Sequence, residues 1–422
     1  MGIPRIITSL GFKGFRLLWL STALGNSGKW AFTVAASWAI FSLTHSTSLV
    51  GAVMFASMIP SVLFTPLAGV LADIFNRRYL YSFSLFISAL ATGCLAVFQS
   101  IGYASPYLII VCSFLMGAAI SFQMTCTNAL MPDLVPKSVL YNASALQGSV
   151  QQGAQFLGSL LASPLLVLFG PNVVFILCFI LYTSAGILSL WIHLKQPSIN
   201  TESFQVSRLL RPIGQGFAYI INKRLIGLII LLVGLHCFLT MSYTSLLPEF
   251  ISHHLNAKSG VYGTLVMFVG LGAMLGTLST AAISTARAKG FLYVITAAGS
   301  GLSLYIMGFV HMPLTAFLIG IMIGGTQAVF MALSLSFVLE RTDIKYTGRV
   351  AGAYNVTAQG LMAIANFLYG PLSKIIPPNI NMMITGGSFV IIAVLFLALS
   401  VHLKTLYQKS SGAKKIKGKG VM

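Results

Sequence analysis

Twelve apolar stretches, each 20 to 30 residues long, occupy most of this chain and leave it very few ways to fold. A helix rises about 1.5 Å per residue, so each stretch can cross a hydrocarbon core of about 30 Å. Within lipid every backbone N–H and C=O must be bonded internally, and runs of this length satisfy that as helices. Bounded by charge, proline and glycine, the spans read Phe15–Leu43, Ser48–Ala72, Tyr79–Ser100, Pro106–Leu130, Leu140–Phe169, Asn172–Leu194, Leu225–Phe250, Val261–Ser284, Phe291–Val310, Pro313–Leu339, Val350–Ile376 and Asn381–Leu403. With 57% of 422 residues hydrophobic and 7% charged, nothing remains to build a soluble domain. The five cysteines fall inside apolar stretches without ligand-like spacing and read as packing residues.

The net charge of +19 would point to nucleic acid in a soluble chain, but here its placement decides otherwise. With the N-terminus cytoplasmic, 22 Lys and Arg lie on the inner side and only Lys258 and Lys374 on the outer. The positive-inside rule then orients the chain in an inner (plasma) membrane with both termini cytoplasmic. The first stretch has no small-residue cleavage site and is too long for a signal peptide core, so it is expected to remain as a helix.

Four regions follow: a six-helix bundle over 1–194, a cytoplasmic linker over 195–224, a second six-helix bundle over 225–403 and a basic cytoplasmic tail over 404–422. In the linker, Ser207 to Lys223 mixes bases with apolar residues and predicts a helix on the inner leaflet. The two bundles echo each other at an offset of 212 residues, which pairs Gly51 with Gly263, Arg77 with Lys289 and Gln147 with Gln359. Such repeats place a binding site between the halves near the bilayer midplane.

Between spans two and three stands Gly69-Val-Leu-Ala-Asp73-Ile-Phe-Asn-Arg77-Arg78. Gly69 allows helices to approach, Asp73 can accept charge-assisted bonds, and Arg77 and Arg78 anchor at inner headgroups. The motif resembles the loop signature of the major facilitator superfamily. Together with Pro132-Asp133-Leu134-Val135-Pro136 after span four and Gly348-Arg349-Val350 before span eleven, it is most similar to the branch of siderophore exporters and macrolide efflux pumps. That resemblance implies an all-α integral membrane fold of twelve helices in two pseudo-symmetric six-helix bundles. It also implies transport by alternating access, with Gly69, Asp73, Arg77 and Arg78 as a conformational gate.

The chain departs from that branch where its members usually carry Gly-Asp-Trp, because here the residues are Gly28-Lys29-Trp30. Lys29 is the one formal charge well inside a span. A charge at that depth costs about 3 kcal/mol or more, so it needs a partner, a water-filled cavity or a ligand. The alternative is a lysine that snorkels to the headgroups. Amides supply further candidates for substrate binding: Asn26, Gln123, Gln147, Gln151, Gln155, Gln327, Asn355 and Gln359, all in spans one, four, five, ten and eleven. Gln147, Gln151 and Gln155 recur at i, i+4 and i+8 and share a helix face. Interhelical hydrogen bonding would account equally for any single one of them.

His236 and Glu249 on span seven are the candidates for proton coupling, since no carboxylate lies deep in a span. His253 and His254 read as a solvated outer loop without further metal ligands. No Walker loop, zinc-protease helix or nucleophile elbow occurs, so neither an enzyme nor a cofactor or metal is expected. The expected partners are a small-molecule substrate and the lipid bilayer, with protons as a coupling candidate, a monomeric state and no nucleic acid. Lys29 favours an anionic solute. Export of a siderophore-like or drug-like solute is the leading expectation. Import of an organic anion, lysophospholipid transport and a non-transporting sensor or assembly factor stand as alternatives.

Overall fold

The computed structural model describes residues 5–193, 207–281 and 285–399; residues 195–206 of the expected linker and the expected tail, 404–422, lie outside that set. The first half holds α1 (Lys13–Thr44), α2 (Thr47–Ile74), α3 (Arg77–Ser100), α4 (Pro106–Leu134), α5 (Leu140–Phe169) and α6 (Pro171–Leu190). A linker helix, α7 (Ser207–Asn222), leads to α8 (Arg224–His236) and a short α9 (Leu247–Glu249). Then come α10 (Ser259–Ala281), α11 (Ala286–Met307), α12 (Pro313–Glu340), α13 (Thr347–Leu372) and α14 (Pro378–Leu399). By length and apolarity ten segments among the described residues can cross a membrane, the stretch from Arg224 to Ser245 counting as one of them. The remaining two long helices, α1 and α13, are less apolar because they carry Asn26 and Lys29, and Asn355 and Gln359.

Each half closes on itself, with α1 against α5 and α6, α3 against α4 and α6, and in the second half α10 against α12 and α11 against α14. Contact between halves runs mainly along two pairs, α2 with α13 and α5 with α10. Along both pairs the fit is tight at the end opposite the basic loops. A Cβ on Gly51 would run into the carbonyl oxygen of Asn366, and one on Gly370 would lie 2.6 Å from Ser48 Cα. Trp38 of α1 stacks on Tyr262 of α10 with ring centroids 5.7 Å apart. Toward the basic end the halves part. Gly153 would reach only Met274, at 3.7 Å, and around Gly69, Gly148, Gly348 and Gly352 there is open space.

Span seven departs from the continuous helix the sequence predicts over Leu225–Phe250. The α-helix stops at His236, a π-helical turn covers Cys237–Met241, a 3-10 turn covers Ser242–Ser245, and a second π-turn covers Phe250–His254. Pro248 removes one backbone donor, and π-turns shift the carbonyls out of the regular ladder. Side chains from neighbouring helices fill the gap. Gln327 donates to Thr240 O (2.8 Å) and Tyr369 to Phe238 O (2.8 Å), and Asn366 Oδ1 accepts from Ser245 N (3.2 Å), while span seven's own Ser242 Oγ donates to Met362 O (3.2 Å).

The linker helix forms where the sequence predicts it, and packs on α13 and α2. Gly216 lies so near the Arg349 carbonyl that no side chain fits there. Tyr219 donates to Asp343 Oδ2 (3.0 Å).

Candidate functional site

Between α1, α3, α4 and α5, all of the first half, lies a narrow, partly open crevice of about 20 Å3, lined by Thr22, Gly25, Asn26, Tyr81, Gln123, Thr127 and Gln151 among others. Three of the amides expected from sequence, Asn26, Gln123 and Gln151, therefore meet here. Gln123 is held by Nε2 donation to Ser88 Oγ (2.9 Å) and Ser84 O (3.3 Å), which fixes its position on the crevice wall. Tyr81 shares hydroxyl contacts with Ser21 and Thr22, both at 3.3 Å.

Lys29 follows Asn26 by one helical turn, and Thr33 and Ser37 continue the same face of α1. That face runs along the other half, since Ser37 bonds the Tyr262 hydroxyl of α10. Lys29 is half-buried, its ammonium 5.6 Å from the Trp30 ring centroid, with no carboxylate within ion-pair reach among the described residues. Lys29 is not itself among the residues that line the crevice; it stands one turn along α1 from Asn26, which is, and an unpaired ammonium there is suited to a solute with a negative group and hydrogen-bonding substituents.

The other expected residues are distributed differently. Gln155 sits in the contact with α10, where a Cβ on Gly270 would lie 2.9 Å from its Cγ. Gln147 is buried, and neither atom of its amide has a partner among the described residues. Asn355 and Gln359 are exposed on α13, on the face that continues from Asn366 toward the open end. Gln327 lies inside the second half, bonded to Thr240 O, away from the crevice.

His236 is fully enclosed, with Nε2 2.8 Å from Ser300 Oγ and its ring 4.5 Å from that of Phe330 and 5.1 Å from that of Phe389. Glu249 bonds Thr47 across the two halves at the closed end.

At the basic end Arg77 joins three helix termini. It reaches Asp133 Oδ2 (3.1 Å), Ala129 O (3.1 Å), Ala72 O (3.1 Å) and, more loosely, Asp73 Oδ1 (3.5 Å). Arg78 donates to Ile192 O (2.9 Å) beyond α6. The repeat-related Lys289 pairs with Glu340 at 3.6 Å, so each half carries one such tie. Asp73 is 66% exposed and Gly69 faces open space, so neither makes a contact between halves in this state.

Sequence reasoning missed Tyr81, Thr22 and Thr127, because it searched for amides, and the third span carries none of the candidates. The signal was present in the hydroxyl row Tyr81, Ser84 and Ser88 at i, i+3 and i+7.

Twelve spanning helices in two packed halves are the architecture of major facilitator transporters. The peptide transporter POT superposes with a TM-score of 0.74 at 12% identity, covering 96% of this chain and 100% of that one. The human organic anion transporter MFSD10 gives 0.68 at 14% identity, over 91% and 99%. The chain belongs to the transmembrane secretion effector family, which it matches over residues 7–419. It is similar to the enterobactin exporter EntS of Shigella boydii, 24% identical over 93% of both chains. It also resembles the staphyloferrin A transporter of Staphylococcus aureus, 25% identical over 60% of this chain and 62% of that protein.

Proposed function

We propose that this transporter is a secondary active exporter of a small, siderophore-like or drug-like organic solute bearing negative charge, working by alternating access across the inner membrane. The observation that carries this reading is Lys29, an unpaired cation half-buried on the α1 face that bears Asn26 and borders the amide crevice. The closed end and the parted basic end correspond to one state of such a cycle, open toward the cytoplasm when the positive-inside rule orients the chain. The relatives named for enterobactin export and staphyloferrin A transport support a siderophore-like cargo.

Protons are the proposed coupling ion, with Glu249 the first carrier to test. Its bond to Thr47 spans the two halves, so its protonation state is linked to closure of that end. His236 is the second, enclosed within one half.

Labelled enterobactin-like catecholates, citrate-type polycarboxylates and a cationic drug, offered to inverted vesicles, test the whole reading. Uphill accumulation of an anionic solute that stops when the proton gradient is collapsed is the expected result. Accumulation of the cationic drug alone would sink the anionic assignment, and anion uptake indifferent to a protonophore would sink proton coupling.

A further inference from the structure

Far from the crevice, at the basic end, two segments that are distant in sequence converge on one cationic cluster. Tyr219 of α7 stacks on Tyr346 with ring centroids 4.7 Å apart and planes 23° from parallel. Lys223 Nζ lies 5.8 Å from the Tyr219 centroid, and Lys345 Nζ and Arg349 Cζ lie 5.9 and 5.3 Å from that of Tyr346. None of these three cations has an ion-pair partner among the described residues. The neighbouring carboxylate, Asp343, is engaged by the Tyr219 hydroxyl through both its Oδ2 and its backbone N–H. Three other bases at this end are tied off: Arg77 by Asp133, Lys289 by Glu340 and Arg78 by a carbonyl.

Two large apolar side chains flank the cluster with nothing covering them, Ile221 at 79% and Ile344 at 96% exposure. A bare isoleucine beside a lysine is costly in water, but at the edge of a bilayer it lies against acyl chain while the lysine meets a headgroup. Stacked tyrosines suit the same depth, where rings with one polar tip sit at the headgroup level. The grouping thus has a phosphate-binding part and an acyl-contacting part side by side.

We propose that Lys223, Lys345 and Arg349, gathered around the Tyr219–Tyr346 stack, bind the phosphate of an anionic phospholipid whose chains lie along Ile221 and Ile344. The site joins the linker helix to the start of α13. A lipid held there cements α7 onto the second half, so this site acts on the joint between the halves and not on the transported solute. The inference needs the basic end to lie at a membrane surface, and is independent of which solute is carried.

Purified full-length protein in neutral detergent, titrated with short-chain phosphatidylglycerol or phosphatidylcholine and read by native mass spectrometry, tests it. Each base close to an anionic headgroup contributes a factor of about five in affinity, so Lys223→Gln, Lys345→Gln and Arg349→Gln together should weaken phosphatidylglycerol binding by about a hundredfold at low salt. The charge-keeping set Lys223→Arg, Lys345→Arg and Arg349→Lys should stay within about threefold of wild type, on the same footing that charge sets the affinity. An equal loss from Arg16→Gln, Lys137→Gln and Arg287→Gln would overturn the site in favour of a diffuse basic surface. So would unchanged binding in the first set, or equally tight phosphatidylcholine. Inorganic phosphate in a parallel titration distinguishes the source: displacement of the lipid at micromolar concentration would assign the site to a soluble phosphate instead. Should the triple Gln variant fail to give a helical, monodisperse protein, Lys345→Gln alone carries the test, with a loss of about fivefold expected.

Discussion

The repeat offset of 212 residues places Lys29 of α1 opposite Met241, at the end of the π-turn that interrupts span seven. The two positions are the same point of two pseudo-symmetric helices, and the chain uses them differently. α1 runs unbroken for 32 residues and offers a charge there. Span seven has an uncharged methionine at that point and loses its helical geometry there, its backbone being carried by side chains of α12 and α13. On the proposed reading the first half supplies the recognition chemistry and the second a point of bending, so that a duplicated unit keeps its packing while dividing two tasks between its copies.

The sharpest way to break that division is Lys29→Met, which keeps volume and removes charge. Affinity for an anionic solute should fall by at least about tenfold, the order of a lost charge-assisted contact, while the protein still inserts and folds. Isothermal titration on the purified variant reads the outcome, and unchanged affinity would take Lys29 out of the site.

Next in size is Asp73→Asn. Its exposed, 3.5 Å contact with Arg77 contributes little here, so melting temperature should stay the same. Exchange between states, followed by paired spin labels at both ends, should slow severalfold if Asp73 takes up its partners in the alternative state. Identical exchange rates would leave it a helix-end residue.

A smaller effect is expected from Gln327→Ala and Asn366→Ala. Each removes a bond that satisfies the broken backbone of span seven, worth about 0.6 to 2 kcal/mol in a membrane protein. Thermal unfolding should begin a few degrees lower while solute affinity holds, because the crevice belongs to the other half. Lost affinity with unchanged stability would return Gln327 to the binding site and undo the division of tasks.

The smallest effect concerns the end loops of the second half. His254 and His311 lie with ring centroids 4.7 Å apart. Burial, and then the neighbouring His311, hold the His254 pKa below the usual 6.5, against a bond to the Val310 backbone that raises it. A histidine with a depressed pKa favours the neutral form in the folded state. This corner is therefore fully stable above pH 6.5 and loosens as pH falls below that value. His311→Gln should raise the His254 pKa, followed by imidazole NMR shifts. A downward move would show that charge on His311 is not among the causes.

Much of this was legible in the chain. Span lengths, the lopsided bases and the repeat offset follow from what a bilayer demands, and they predict twelve helices in two halves. Lys29 stood out because a charge in lipid has few explanations. Periodicity showed that Gln147, Gln151 and Gln155 share a face, but not which neighbour covers it, and the structure distributes them among a buried position, the crevice and the contact with α10. The interruption of span seven was illegible for a similar reason. Its Ser and Thr residues look like an ordinary polar stripe, and the groups that stabilise the irregular backbone lie 87 to 131 residues further on. His254 likewise found its neighbour, His311, in a loop two helices away.

At the closed end the halves touch through glycines: Gly51 beneath the Asn366 carbonyl and Gly370 on the Ser48 backbone, with Gly263 against the Ser163 side chain. Contacts that close leave no space for a water between them. On the proposed alternating-access cycle they would keep a file of water molecules, and the protons it conducts, from running through this end while the other is open. In that reading the same bare backbones that let two bundles nestle so tightly also insulate the membrane.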